Sequence, residues 1–496
     1  MKFTREKLDK TITLLLPLAF IGPVFLNLLA YVMDGQRHET FRLAFVLGIQ
    51  ALAALLFLAG VFLLWKEKPA FRRPIVFTAL IPVLLGVVFL WALCIREDRA
   101  FLVQELVVNG CYLVSLCCAV LLVWAGKKEL DFLKALRVYA VVISPVVLYY
   151  CVRMYLPGAD YSMISLGNIS YMSLAYFLMA LCFFLFLQDA LGGKDEKHGL
   201  RKAEFPLFVL FCIAITLSGT KGAILCLLWG LALTALFFWR IFPSNMKKRC
   251  LRYPLAALVC VVLFSTLLFP NIGIDNRVVS FLKEATGIKS VEVANEEVRQ
   301  TTDILNKIHG GNFSASDKQA YTDRDIISAA GSDAVKQALE EGLITQEEYD
   351  ALVDIGQKLN KTSTAGRKYY WNCAFNEIRE APLTGRGPLY FWCKYGSYPH
   401  NFFLEAATDF GLPFMCLLCV FGLYTLIRLF RRARNRLWLS VFLLYVVMYL
   451  PEKLVSGSLY DFSVFFQYGF CILFAFLPER YFMGPGEIPA EDPHHS

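Results

Sequence analysis

The sequence predicts an all-α polytopic membrane protein of about twelve transmembrane helices, and three observations predict it. Hydrophobic residues make up 57% of the 496-residue chain and charged residues 18%, a balance that leaves a soluble protein too little polar surface to cover itself. The apolar residues come in blocks rather than at amphipathic spacing, and many blocks reach the roughly 20 residues that crossing a hydrocarbon core demands. Basic residues collect in alternate connecting loops, as a fixed orientation across a bilayer requires.

From the N-terminus, candidate spans cover 11–33, 43–65, 75–95, 102–124, 138–156, 169–187, 205–217, 223–239, 254–269, 402–427, 437–451 and 462–478. The first block, Thr11–Met33, is too long for a cleaved leader and no small-residue cleavage site follows it, so it reads as a retained span. The seventh is short, either thin or extended by Ser218 and Gly219. One set of loops carries Lys66, Lys68, Arg72 and Arg73, then Lys127, Lys128, Lys134 and Arg137, then Lys194, Lys197, Arg201 and Lys202. The same side continues with Arg240, Lys247, Lys248, Arg249 and Arg252, and closes with Arg428, Arg431, Arg432, Arg434 and Arg436. The positive-inside rule puts these loops and both termini in the cytoplasm. The formal charge of +8 is accounted for by such loops and carries no nucleic-acid reading.

Four regions follow: helices one to nine over 1–269, a large extracytoplasmic helical loop over 270–399, the last three helices over 400–478, and a cytoplasmic tail over 479–496. Within the loop, Thr345 and Glu348 form a capping box that opens a helix over Gln346–Asp354, and Gly342 stops a helix that starts near Ser332. The middle of the loop, about 280–360, reads as a solvated helical insert. Its end, Gly366 to Tyr398, is rich in aromatics and glycine (Tyr369, Tyr370, Trp371, Tyr390, Phe391, Trp392, Tyr395), which suits a membrane surface and the mouths of the helices.

The residues that could carry chemistry lie on the outer side. Of the six histidines, His38, His309 and His400 fall there, and His400 stands where the loop re-enters the membrane. A histidine in a partly dry cleft titrates near neutrality, as a general base must; the ordinary alternative is an interfacial histidine bonding a neighbouring carbonyl. Arg367 and Arg386, the latter between Gly385 and Gly387, offer a planar fork of donors that suits phosphate oxygens, though solvated or headgroup-facing arginines are commoner. The tight turn Ser218-Gly219-Thr220-Lys221-Gly222 needs small residues merely to close, yet it puts a lysine at the start of a helix, a workable anion site. Arg153, about one turn inside the outer end of its span, must snorkel or find an anionic partner. Glu105 and the pair Glu452 and Lys453 are weaker forms of the same signal. The cations together point to an anionic, lipid-linked substrate. Most of the 15 cysteines lie in apolar blocks as small hydrophobes, whereas Cys373 and Cys393 fall in the large loop and could pair in an oxidising space. No CxxC pair or Cys/His cluster implies a metal.

Several of these segments resemble one family. Gly366-Arg367, Tyr370-Trp371, Ala374, Ile378 and Ala381-Pro382-Leu383-Thr384-Gly385-Arg386-Gly387 lead into His400-Asn401-Phe402-Phe403-Leu404-Glu405 and Gly411-Leu412. This tail resembles the O-antigen ligase and polymerase family, with its "P-L-x-G-x-G" turn and its "H-N-x-x-L" ahead of a glycine that opens the next span. Ser218-Gly219-Thr220-Lys221-Gly222 looks like the family's "T-x-S-R-G" element, with lysine in place of arginine. The resemblance covers roughly residues 160–450. It implies a metal-independent, inverting glycosyltransferase of the GT-C type, without cofactor, in surface polysaccharide (lipopolysaccharide) biosynthesis of the cell envelope. The enzyme would sit in the bacterial cytoplasmic membrane with its active site facing outward. It would take a glycan from undecaprenyl diphosphate to a glycan or lipid acceptor. Carried over by position, His400 would be the base that activates the acceptor hydroxyl, Arg367 would bind the diphosphate, and Lys221 would take the place of the turn arginine. Asn401 and Glu405 would support the histidine, while Arg386 and Arg153 are added as diphosphate ligands from their chemistry. The insert at about 280–360 exceeds what the family leads one to expect.

A ligase and a polymerase share this donor and differ only in acceptor. A lipid-linked oligosaccharide flippase is the alternative from another class, but its cavity would need charges from both leaflets, and the mid-span regions here are nearly free of charge. A structural or sensor protein would leave the motif tail unexplained.

Overall fold

The computed structural model describes residues 5–34, 39–97, 99–126, 129–155, 169, 171–191, 198–239, 244–264, 301, 303–308, 333–361, 365–395, 398–433, 437–455 and 457–478. Every element of regular structure in them is helical. The long apolar runs become α1 (Arg5–Leu15), α2 (Leu18–Asp34), α3 (Glu39–Glu67), α4 (Arg72–Ile95), α5 (Arg99–Gly126) and α6 (Glu129–Tyr155). They continue as α7 (Tyr171–Leu191), α8 (His198–Leu217), α9 (Lys221–Trp239) and α10 (Ser244–Leu263). The loop contributes α11 (Asp333–Glu340), α12 (Gln346–Lys361), α13 (Ala365–Glu380) and α14 (Tyr390–Tyr395). The chain then runs through α15 (Phe402–Phe410), α16 (Leu412–Ala433), α17 (Leu437–Met448), α18 (Leu450–Val455) and α19 (Phe462–Phe476).

Among the described residues six helices are long and apolar enough to cross a bilayer singly: Phe45–Glu67, Pro69–Ile95, Arg99–Gly126, Asp131–Met154, Met172–Asp189 and Leu412–Ala433. Asp9–Gly22 and Val24–Met33 add a seventh if their 93° bend counts as one span. Shorter apolar helices cover Lys221–Phe237, Leu251–Leu263 and Phe462–Phe476. The chain is an integral membrane protein. Leu55, Leu236 and Val420 stand 65%, 71% and 69% exposed, as lipid-facing side chains do. α7 is the centre of the bundle. Of Met172–Asp189, 83% is buried inside the protein, against 17% of Leu412–Ala433, and α7 packs on α8, α9, α6 and α10.

Several expected spans are interrupted, each for an identifiable reason. The run 402–427 is not one helix: Gly411, at φ +87°, separates the short α15 from the span α16. A Cβ at Gly411 would fall on the carbonyl of Leu383, so only glycine lets the break seat against the preceding turn. The run 437–451 divides at Tyr449, just before Pro451 at the start of α18. The seventh span is not extended by Ser218 and Gly219. Gly219, at φ +65°, closes the turn there, and α8 gains its length at the other end by starting at His198.

In the loop, the Thr345 hydroxyl accepts from the Glu348 amide at 3.2 Å while the Thr345 amide donates to the Glu348 carboxylate at 2.9 Å, so the capping box forms as read. Gly342, at φ +74°, ends α11. Ile304, Leu305, Val335, Ala338, Ile344 and Leu352 bury one another in a small core of their own. The rest of the region 280–332 lies outside the described residues.

Candidate functional site

The turn 381–389 and α15 are locked together through their backbones. The Arg386 amide donates to the Thr408 carbonyl at 2.9 Å, the Gly387 amide to Asp409 at 2.7 Å, and the Leu412 amide to Pro382 at 2.8 Å. So close an approach is open only to residues without a Cβ at the crossing. Gly385, at φ +66°, has the Asp409–Phe410 backbone where a Cβ would go, and Gly387, at φ +88°, leaves room for the Arg96 guanidinium. Arg96, at the end of α4, donates Nε to the Pro388 carbonyl at 3.1 Å and Nη2 to the Arg386 and Gly387 carbonyls at 2.9 Å each. Nothing in the sequence distinguishes Arg96 from any other arginine at a helix end, and it was not among the expected site residues.

Next to this turn the chain swings through His400 into α15. Asn401 is the N-cap of that helix: its side-chain oxygen accepts from the amides of Phe403 (2.9 Å) and Leu404 (3.0 Å), and its Nδ2 donates to the Leu454 carbonyl at 2.8 Å. One residue earlier, His400 is held at φ +53°, a left-handed conformation uncommon outside glycine that histidine enters more readily than most residues. Its ring packs on Tyr370 of α13 (5.6 Å between centroids) and on Tyr398 (4.4 Å). Tyr398 stacks in turn on Trp392 (5.5 Å), and Trp392 on Phe101 of α5 (5.5 Å).

Glu405 and Asp409, one turn apart on the same face of α15, are fully buried. Glu405 accepts from the Ser458 hydroxyl at 2.9 Å and from the Leu459 amide; Asp409 accepts from the Tyr460 hydroxyl, which itself accepts from the Leu389 amide at 2.9 Å. Burial, and after it the neighbouring Asp409, raises the Glu405 carboxyl to about 8. Burial raises Asp409 to about 7, against the hydrogen bond from Tyr460. The spacing Glu405, Asp409 inside an apolar run could have announced this pair.

On the other flank, Glu377 of α13 is buried and gathers cations. It accepts from Arg386 Nε at 3.1 Å, from the Tyr395 hydroxyl at 2.7 Å and from Lys394. Burial acts to raise its carboxyl, but the hydrogen bonds from Lys394, Tyr395 and Tyr390 outweigh it and hold the group below the usual carboxylate range. Arg386 also pairs with Glu380. The arginine between the glycines thus pairs with two carboxylates beside α13.

Lys221 begins α9, half-buried, after a turn in which the Ser218 hydroxyl donates to the Ile215 carbonyl at 2.7 Å. Gly222 is pressed by the hydroxyl of Tyr176, at a place where any Cβ would collide. Tyr176 also lines a cavity of about 300 Å³, together with Phe101, Glu105, Asn109, Ser173, Trp392, Tyr398, Glu452, Ser458, Tyr460 and Asp461. Tyr398 of the His400 segment is thus a wall of this cavity, and the turn 218–222 lies behind another wall residue, Tyr176 of α7. Arg153 sits half-buried in the last turn of α6 and is not a wall of this cavity. The backbone of Arg367 lies in the first turn of α13, while its side chain lies outside the described residues, as do His38 and His309. Cys373 and Cys393, which the sequence offered as a possible pair, are not joined in a disulfide. Among the described residues no three His, Cys, Asp or Glu side chains gather as a metal site needs.

Residues 206–419, which run from α8 through the His400 segment into α16, match a family model described as O-antigen ligase. No curated protein and no solved structure matches the chain.

Proposed function

We propose, from the match of residues 206–419 to the O-antigen ligase family model, that the chain is a glycosyltransferase. It moves a glycan from undecaprenyl diphosphate to a sugar hydroxyl at the outer face of the cytoplasmic membrane. The observation that carries the reading is that Tyr398, beside His400, walls a cavity whose opposite wall residue Tyr176 presses on Gly222 of the turn 218–222, both motif segments lying inside the matched region. The donor already has a diphosphate leaving group, so the protein has three tasks: to position two glycans, to remove one proton, and to stabilise charge on the departing diphosphate. His400 takes the proton from the acceptor hydroxyl as that oxygen attacks the anomeric carbon, and the bond to the diphosphate breaks. Lys221, Arg367 and Arg153 hold the diphosphate. Arg386, engaged by Glu377 and Glu380, fixes the turn instead. Asn401 caps α15 and thereby sets the backbone of His400.

Deleting the gene in the producing cell, then sizing the undecaprenyl-linked glycans by mass spectrometry and gel, tests the proposal. Long chains stranded on the lipid identify a ligase; single repeat units identify a polymerase; an unchanged profile refutes the glycosyltransferase. Complementation uses wild type, His400→Ala and His400→Asn. Asparagine tolerates left-handed φ, so it removes the base while sparing the turn. Both variants are expected to lower transfer by roughly a hundredfold or more. Normal transfer by His400→Asn would remove His400 from the base role.

A further inference from the structure

Glu405 and Asp409 take no part in the transfer chemistry, yet they hold up one wall of the cavity. Residues 457–461, a strap that leads into α19, carry three of its lining residues, Ser458, Tyr460 and Asp461. Ser458 donates its hydroxyl to Glu405 at 2.9 Å, the Leu459 amide donates to the same carboxyl, and Tyr460 donates its hydroxyl to Asp409. The Tyr460 oxygen accepts in turn from the amide of Leu389, another lining residue. Asp461 caps α19, accepting from the Ser463 amide at 2.9 Å. The strap is thus fastened to α15 by the same side chains that wall the cavity.

What faces the two acids decides how that fastening responds to protons. They lie one turn apart, so they repel each other if both ionise, and Asp461 on the strap adds a further like charge. Arg96 of α4 attracts Asp409, but its hydrogen bonds go to the carbonyls of residues 386–388. On α18, Lys453 lies between Glu452 (3.4 Å) and Asp461 (3.6 Å). On α13 and α14, Glu377, Lys394 and Tyr395 engage one another. α16 carries no charged residue before Arg428, and its Cys416 and Cys419 are exposed. Hydroxyl and amide donors suffice for neutral acids, whereas two charges in this setting would repel and need water. The polar space beside them is the cavity, and Ser458 and Tyr460 stand between.

We propose that α15 and the strap form a proton-operated latch on the cavity: with both acids neutral the wall is fastened, and ionisation frees Ser458 and Tyr460 and opens the cavity to solvent. The latch goes beyond the transferase reading and does not rest on it. Burial raises the Glu405 carboxyl to about 8 and that of Asp409 to about 7. The fastening is therefore complete below about pH 4, where the acids are protonated whether latched or free. It weakens as pH rises, up to about 7 for Asp409 and about 8 for Glu405.

The test is hydrogen–deuterium exchange on the full-length protein in nanodiscs between about pH 5 and 8, each rate corrected for the intrinsic pH dependence of amide exchange. Exchange at Leu459 and Tyr460 should rise at least about tenfold per pH unit between about 5 and 7. Exchange in α13, where hydrogen bonds keep Glu377 below the usual carboxylate range, should not follow. In Glu405→Gln/Asp409→Asn the side-chain amides still accept from the same donors but cannot ionise, so the rise should vanish. A second readout follows the cavity itself. Asn109→Cys, at a wall position on α5, is alkylated with a polar maleimide and quantified by peptide mass spectrometry. Its rate in the wild-type background, divided by that in the double variant, is free of the thiol's own titration and should climb over the same range. Flat strap exchange in the wild type overturns the latch without recourse to any variant. A rise shared equally by α13, or one that persists in the double variant, overturns it too. Rising strap exchange with a constant alkylation ratio would overturn the opening of the cavity.

Discussion

Glu377 and Glu380 lie on one side of the turn 381–389, Glu405 and Asp409 on the other, and the two pairs show how differently one chemical group is treated within a few residues. Glu377 is buried but meets Arg386, Lys394 and Tyr395, so its charge is kept. Glu405 and Asp409 are at least as buried and meet chiefly hydroxyls and amides, with no cation in hydrogen-bond contact among the described residues; burial raises them to about 8 and about 7. Depth alone does not decide ionisation. The partners do. The turn is held on one flank by charges and on the other by near-neutral acids, and each flank should fail under its own conditions.

The largest effect should come from the backbone crossing that both flanks share. Gly385→Ala puts a Cβ into the Asp409–Phe410 backbone at a positive φ, and should destabilise by about 3 kcal/mol or more. A thermal midpoint in nanodiscs within a degree of wild type would mean that the turn and α15 are not locked as described.

Next in size is the pH response of the acidic flank. Both acids have folded-state values above their unfolded ones, so their contribution is fully present below about pH 4, where both states are protonated. It is lost as pH rises, up to about 7 for Asp409 and about 8 for Glu405. The midpoint should therefore fall between pH 5 and 8, and Glu405→Gln should remove a large part of that fall, corresponding to a few kcal/mol. A variant whose midpoint falls as steeply as that of wild type would show that Glu405 is ionised in the folded protein.

The charged flank should behave otherwise. Glu377→Gln loses charge-assisted bonds to Arg386 and Lys394 and should cost about 2 kcal/mol, with little change in the pH slope above pH 5. The smallest effect belongs to Glu380→Gln. Its carboxylate is 66% exposed, so losing the pair with Arg386 should cost less than about 1 kcal/mol and fade further in high salt. Equal costs for Glu377→Gln and Glu380→Gln would mean that Arg386 does not favour the buried partner.

What the sequence made legible follows the same physics. Long apolar runs announce their helices because a bilayer tolerates little else, and α3 to α7 lie close to where those runs placed them. The capping box at Thr345 was equally plain, being a local device. Breaks that depend on distant backbone were hidden. Gly411 lies inside an apolar run, and only the Leu383 carbonyl, far along the chain, explains why the helix stops there. The site divides in the same way. His400 and Asn401 were visible from a motif, whereas the engagement of Arg386 by Glu377 and the walls supplied by Glu105 and Tyr176 are long-range facts with no local signature.

Arg96 has a consequence of a different kind. Its three hydrogen bonds go to the carbonyls of residues 386–388, groups that every amino acid supplies. The clamp is indifferent to which side chains occupy positions 386 and 388, and absolute about the one at 96. The side chains of the turn answer to other partners, Arg386 to Glu377 and Glu380 and the glycines to the backbone of α15, while the path of its main chain is also held from a helix nearly three hundred residues earlier in the chain.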